Sequence, residues 1–207
     1  MRNPSLTIYF ITVLLYVLQS GVTAWIQHQR PSSIRSKTTP WMTSVETPTM
    51  LPPRVVSRRV FQNDQRPVVL FDGVCNLCNN AVNLALDWDP QGRLRFAALQ
   101  SAVGRSLLQT HGRQADDISS IVLVNADGAY IKSDAILKIT EALSPPFLPA
   151  REVALLGRFL VPAVVRDLIY DQVADNRYQL MGKRDVCRFD ADNEFADRFV
   201  SDSLAYE

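Results

Sequence analysis

The stretch FDGVCNLCNN, residues 71–80, closes a short apolar run (Val68, Val69, Leu70, Phe71) and opens an amphipathic one, with two cysteines three positions apart. Pro67 and Asp72-Gly73 bound the apolar run at strand length. Beyond it, Leu77, Ala81, Leu84, Ala85 and Trp88 recur at helical spacing, while Asn79, Asn80, Asn83 and Asp87 fall largely elsewhere. A strand that turns at once into a helix places Cys75 at the helix start, where unpaired backbone N–H groups and the helix dipole favour a thiolate. Cys78, one turn further on, is expected to lie more buried beneath it.

The rest of the chain continues the alternation. Pro90-Gln91-Gly92 breaks the first helix, residues 94–99 read as a second strand, and 103–108 as a short helix ending near His111-Gly112. A third strand at 121–124 turns through Ala126-Asp127-Gly128 into a fourth at 129–132. Ser133 is placed to cap the next helix, which carries Ile136, Leu137, Thr140 and Leu143. After Pro145, Pro146 and Pro149 come helical patterns over 152–160 and, with Pro162 at the first helical position, over 163–181. The order β-α-β-α-β-β-α with a dithiol at the first strand-to-helix junction predicts a thioredoxin-like α/β fold. It has a four-stranded mixed sheet flanked by helices, with an added C-terminal helical region.

Disulfide exchange needs one thiol that ionises near neutral pH and a second close enough to resolve the mixed disulfide. Cys75 fits the attacking role and Cys78 the resolving one. The competing readings are a pair of structural cysteines and half of a zinc site. Structural zinc commonly takes two spaced ligand pairs. The third cysteine, Cys187, lies more than a hundred residues away, and the two histidines are His28 and His111, so no second pair exists. No metal and no cofactor is called for. Asp72, at the end of a buried strand, is costly without a partner or a task. It can accept the Cys78 proton during resolution, or accept N–H bonds in the turn around Gly73; its charge would also raise the pKa of Cys75. A strand ending in Asp also opens a haloacid-dehalogenase phosphatase site, but that pattern requires a second Asp where Val74 stands.

The amino-terminal part has another character. Arg2 precedes a thirteen-residue apolar stretch, 6–18, too short for a comfortable bilayer span and of signal-peptide length, and Val22 and Ala24 offer a cleavage site. Residues 1–24 read as a signal peptide, with an uncleaved membrane anchor as the alternative. Residues 25–66 read as a disordered, transit-like segment, since Glu46 is the only acid between Trp25 and Phe61. A signal followed by an aromatic residue and an acid-poor basic stretch is similar to the bipartite presequence of algae with secondary plastids. The expected location is therefore the plastid, with the secretory pathway or a membrane anchor as alternatives. No stable membrane span is expected after processing, and the mature chain would begin between residues 51 and 67. The domain is placed at 67–190, with 191–207 as a tail. A net charge of +1 leaves no global footprint for nucleic acid.

FDGVCNLC (71–78), RFAALQS (95–101), ISSIVLV (118–124), KSDAILKI (132–139) and VPAVVRDLIYDQVADNRYQLMGKRDVC (161–187) together resemble the DCC family of thiol-disulfide oxidoreductases, named for an Asp-Cys-Cys motif. The resemblance implies a thioredoxin-like fold, a redox pair at Cys75 and Cys78 and the motif acid at Asp72. Thiols or disulfides of proteins or small molecules are the implied partners. Thioredoxins carry a proline before the third strand that shapes the substrate groove; Ile118-Ser119-Ser120 stands there instead, which favours a narrower partner. In the C-terminal motif, Arg166, Asp167, Arg177 and Tyr178 read as an ion pair with helix packing, or alternatively as an active-site wall. Cys187 reads as inert or as a further redox thiol. The alternative from another class is a non-catalytic interaction domain with structural cysteines.

Overall fold

Residues 48–145, 149–183 and 195–207 are described by a computed structural model. The signal peptide, most of the transit-like segment and Cys187 lie outside them. Four short strands, β1 (Val68–Phe71), β2 (Arg95–Ala98), β3 (Val122–Val124) and β4 (Ala129–Ile131), form one sheet in the order β2-β1-β3-β4. β1 pairs parallel with β2 and antiparallel with β3, which pairs antiparallel with β4. This is the mixed, thioredoxin-like sheet expected from the order of elements.

Both faces of the sheet are covered, so β1 reads as unbroken VVLF rather than as alternating polar and apolar residues. On one face Val68, Leu70, Ala97, Leu99, Val122 and Val124 pack against helices α1 (Pro53–Gln62) and α3 (Ala102–Thr110). On the other, Val69, Phe71, Phe96 and Leu123 meet α2 (Asn76–Asp87) and α4 (Lys132–Ala142). α3 comes unusually close to β2: a Cβ on Gly104 would lie 2.1 Å from the carbonyl oxygen of Ala98. Two more helices, α5 (Ala150–Leu160) and α6 (Ala163–Met181), pack against α4, and α6 also reaches α2. The α5–α6 corner leaves Phe159, Leu160 and Val164 largely exposed.

Four expectations are corrected. The described end of the segment before residue 67 does not stay outside the fold. Pro53 starts α1 at a position that needs no N–H donor, and Val56, Val60 and Phe61 bury one stripe between its arginines. Buried Arg95 then donates to the carbonyls of Val60, Asp64 and Arg66, closing the helix end. Nor is 191–207 a free tail. Ala205 is fully buried against the α1–α3 face, and Arg198 forms a buried ion pair with Asp89 while donating to the Leu94 carbonyl at 2.7 Å. Finally, Ser133 is not a cap: α4 begins at Lys132, and the Ser133 hydroxyl donates to Asp167. Pro162 likewise stands just before α6 rather than at its first position.

Candidate active site

The parallel pairing of β1 and β2 brings their C-terminal ends together, and the site grows from that edge. Cys75 is the N-cap of α2 and its Sγ accepts a hydrogen bond from the Cys78 N–H at 3.3 Å. The turn beneath is held from within: Asn79 donates to the carbonyls of Gly73 (2.9 Å) and Cys75 (2.8 Å). Hydrogen bonding from the Cys78 thiol, assisted by the backbone N–H groups of Cys78 and Leu77, outweighs burial and the Asp72 charge. Together they bring the Cys75 pKa down to about 7. Cys78 moves the opposite way, raised first by that same hydrogen bond and then by burial. The two thiols are thus pushed apart, one toward thiolate and one held protonated.

The order of burial is the reverse of the expected one. Cys75 is fully buried and Cys78 only half so. The cover is the chain just after α6. Lys183 bridges Cys75 in antiparallel fashion, the Asn76 N–H donates to the Gly182 carbonyl at 3.3 Å, and Asn76 Nδ2 donates to Met181 at 2.8 Å. Gly182 has φ of +77°, a conformation that disfavours any side chain. Lys183 and Arg177 both lie over the ring of Tyr178, at 4.0 and 4.5 Å. Nothing in the CxxC spacing signals this cover, because its residues lie a hundred positions downstream.

Asp72 is buried and surrounded by donors. Its Oδ1 accepts from Gln100 Nε2 at 2.7 Å and from the Val74 N–H at 3.2 Å. Its Oδ2 accepts from the Tyr178 hydroxyl and from Arg177 Nη2 and Nε at 3.2 and 3.4 Å. The turn-acceptor bond to Val74 is therefore present, but it is one of five. The four C-terminal residues singled out in the sequence divide into two pairs. Arg177 and Tyr178 stand at the site, whereas Arg166 pairs with Asp134 at 2.9 Å and Asp167 with Ser133, tying α6 to the start of α4. Gln100 was not anticipated. It donates to Asp72 and accepts from the Gly73 N–H at 3.1 Å, and its only signal is a polar residue just beyond the end of an apolar strand, inside RFAALQS.

A cavity of about 450 Å³ opens beside the pair, lined by Cys78, Asp72 and Arg177 at one end and by apolar side chains elsewhere. The whole stripe seen in the sequence lines this space: Leu77, Ala81, Leu84, Ala85 and Trp88, joined by Val82, with Val82 and Ala85 buried as well and Leu86 in the core. Ile118, Ser119 and Ser120, which stand where thioredoxins keep proline, form another part of its wall. The Ile118 carbonyl accepts from Arg177 Nη2 at 3.1 Å. Among the described residues, no group of three or more His, Cys, Asp or Glu side chains could hold a metal ion.

A mixed β2-β1-β3-β4 sheet with a low-pKa cysteine and a protonated partner at the start of the helix that follows β1 defines the thioredoxin-like class of thiol-disulfide proteins. Within that class, the family model of DCC1-like thiol-disulfide oxidoreductases matches residues 69–183, and the chain belongs to this family. It is 49% identical over 127 residues to a chloroplastic DCC family protein of Arabidopsis thaliana, a match covering 61% of this chain and 72% of that one. It is 42% identical over 120 residues to an uncharacterized Bacillus subtilis protein, YuxK, covering 58% of this chain and 84% of the relative. No solved structure matches.

Proposed function

We propose that the protein exchanges disulfides by cycling Cys75 and Cys78 between dithiol and disulfide. The observation that carries this reading is the opposed pair of thiol shifts, with Cys75 near pKa 7 and Cys78 raised. The Cys75 thiolate attacks a partner disulfide, forms a mixed disulfide and expels one thiolate. Cys78 then loses its proton and attacks Cys75 Sγ, releasing the second thiol and leaving the Cys75–Cys78 disulfide. Asp72 is the carboxylate that can take that proton. For Cys75 to meet a partner of any size, the Gly182–Lys183 cover must shift. Asn76, which donates to both Met181 and Gly182, is its fastening.

Cys78→Ser should trap partners on Cys75 as stable mixed disulfides, and Cys75→Ser should trap none. Equal, slow alkylation of both cysteines and no trapped partner would leave the interaction-domain reading in place. Localisation follows the same proposal. Residues 1–24 and the stretch after them direct the chain to the plastid, in keeping with the chloroplastic name of the Arabidopsis relative. No helix among the described residues is long and apolar enough to cross a membrane. A fusion of residues 1–66 to a fluorescent protein should enter plastids of a suitable alga; retention in the secretory system would remove this part.

A further inference from the structure

The cavity lies against one sulfur of the pair only, that of Cys78. Its volume of about 450 Å³ falls within the range of small-molecule sites, roughly 300–1,000 Å³. Four elements supply the walls: Phe71 from β1, Trp88 from α2, Ile139 from α4 and Val173 from α6 among them. Polar groups gather at the thiol end. Asp72 and Arg177 are bound to each other there, and the Tyr170 hydroxyl, which accepts from the Ile121 N–H at 2.9 Å, keeps its own proton to donate. Ile136, Ile169 and Val173 line the cavity yet remain exposed, at 42, 61 and 46%. Such apolar side chains at a solvent-facing opening are costly in water and favour an apolar occupant. The cavity meets the pair at Cys78 while Cys75 is closed to solvent, so a disulfide seated here reaches the Cys75 thiolate through the same shift of the Gly182–Lys183 cover.

From this we infer that the cavity is the substrate pocket, and that it seats the hydrocarbon arm of a small lipophilic disulfide with its sulfurs at the dithiol end. The inference rests on the redox reading above. The reaction balances without a further reagent: RS–SR and the Cys75–Cys78 dithiol yield the enzyme disulfide and two RSH. Two electrons pass to the substrate sulfurs, and the two thiol protons of the enzyme end on the products. The bulk of the arm, rather than a peptide backbone, supplies recognition. This accords with the absence of a proline-shaped groove at 118–120.

The test uses the full chain with dibenzyl disulfide, bis(2-hydroxyethyl) disulfide and a cystine peptide flanked by phenylalanine, each rate being divided by that with a free monothiol. Dibenzyl disulfide should be favoured over the hydroxyethyl compound by at least about tenfold in kcat/KM, the scale of discrimination that apolar pockets reach. Ala81→Phe, at a cavity-lining position on the outer side of α2, should cut that ratio toward one. A non-reactive isostere, 1,4-diphenylbutane, should saturably change the fluorescence of Trp88, with Trp88→Phe identifying the signal and Ala81→Phe weakening it. Equal turnover of the two small disulfides with no saturable fluorescence change would overturn the pocket and leave the redox reading standing. A preference for the peptide over dibenzyl disulfide would overturn the small-molecule assignment. Failure to exchange with any disulfide, whether or not diphenylbutane binds, would overturn the redox reading and this substrate assignment with it.

Discussion

Asp72 and Cys75 oppose each other at the residue scale. The carboxylate raises the pKa of both thiols, and the hydrogen bonds of the helix start overcome it at Cys75. Asp72→Asn should therefore lower the Cys75 pKa below about 7, so that alkylation at pH 6 quickens while the plateau above pH 8 changes little. Initial iodoacetamide rates across that range check the sign, since only the thiolate reacts. The same substitution leaves the Arg177 guanidinium, whose side chain is 11% exposed, without its counter-charge but still bonded to the Ala174 and Ile118 carbonyls, and should cost up to about 3 kcal/mol in urea unfolding, the lower end of what losing one partner of a buried pair costs. If Asp72 also receives the Cys78 proton, resolution of the mixed disulfide slows as well. The CxxC spacing and the acid before it were legible in the sequence because they are local. Of the donors around Asp72, Arg177 and Tyr178 were legible only as an alternative, an active-site wall, and Gln100 not at all, because these residues come from other parts of the chain and meet Asp72 only through the fold.

At the scale of elements, β1 to β4 and the helices between them follow from apolar runs and breakers, and their boundaries moved by only a residue or two. The errors arose where two physical states share one pattern. An apolar helical stripe serves equally to line a cavity or to fill a core, and on α2 it lines a cavity. An arginine-rich stretch with Val56, Val60 and Phe61 at helical spacing looks like a leader until something buries those three. Gly104 shows where α3 meets β2 most closely. Gly104→Ala places a methyl carbon 2.1 Å from the Ala98 oxygen, with no side chain able to yield. The expected loss is about 1–3 kcal/mol or more by urea denaturation, although alanine is the better helix former. Neutral or increased stability would contradict the packing described for α3.

The whole molecule is closed by its C-terminal strap, which holds the end of the chain to the loop after α2 through Asp89 and Arg198. Arg198→Ala should destabilise the fold by roughly 3–5 kcal/mol, since Asp89 stays buried and loses its cation. Asp89→Asn with Arg198→Met should recover much of that, a comparison made by thermal unfolding. Neither effect should alter the chemistry of the dithiol, which lies at the other end of α2. That chemistry is the central claim, and a glutathione redox titration of the full chain, with the Cys75–Cys78 linkage read by mass spectrometry after acid quenching and alkylation, addresses it directly. A single reversible two-electron transition forming the Cys75–Cys78 disulfide is the predicted result. Two thiols that stay reduced across the whole range, or that only form separate glutathione adducts, would contradict it.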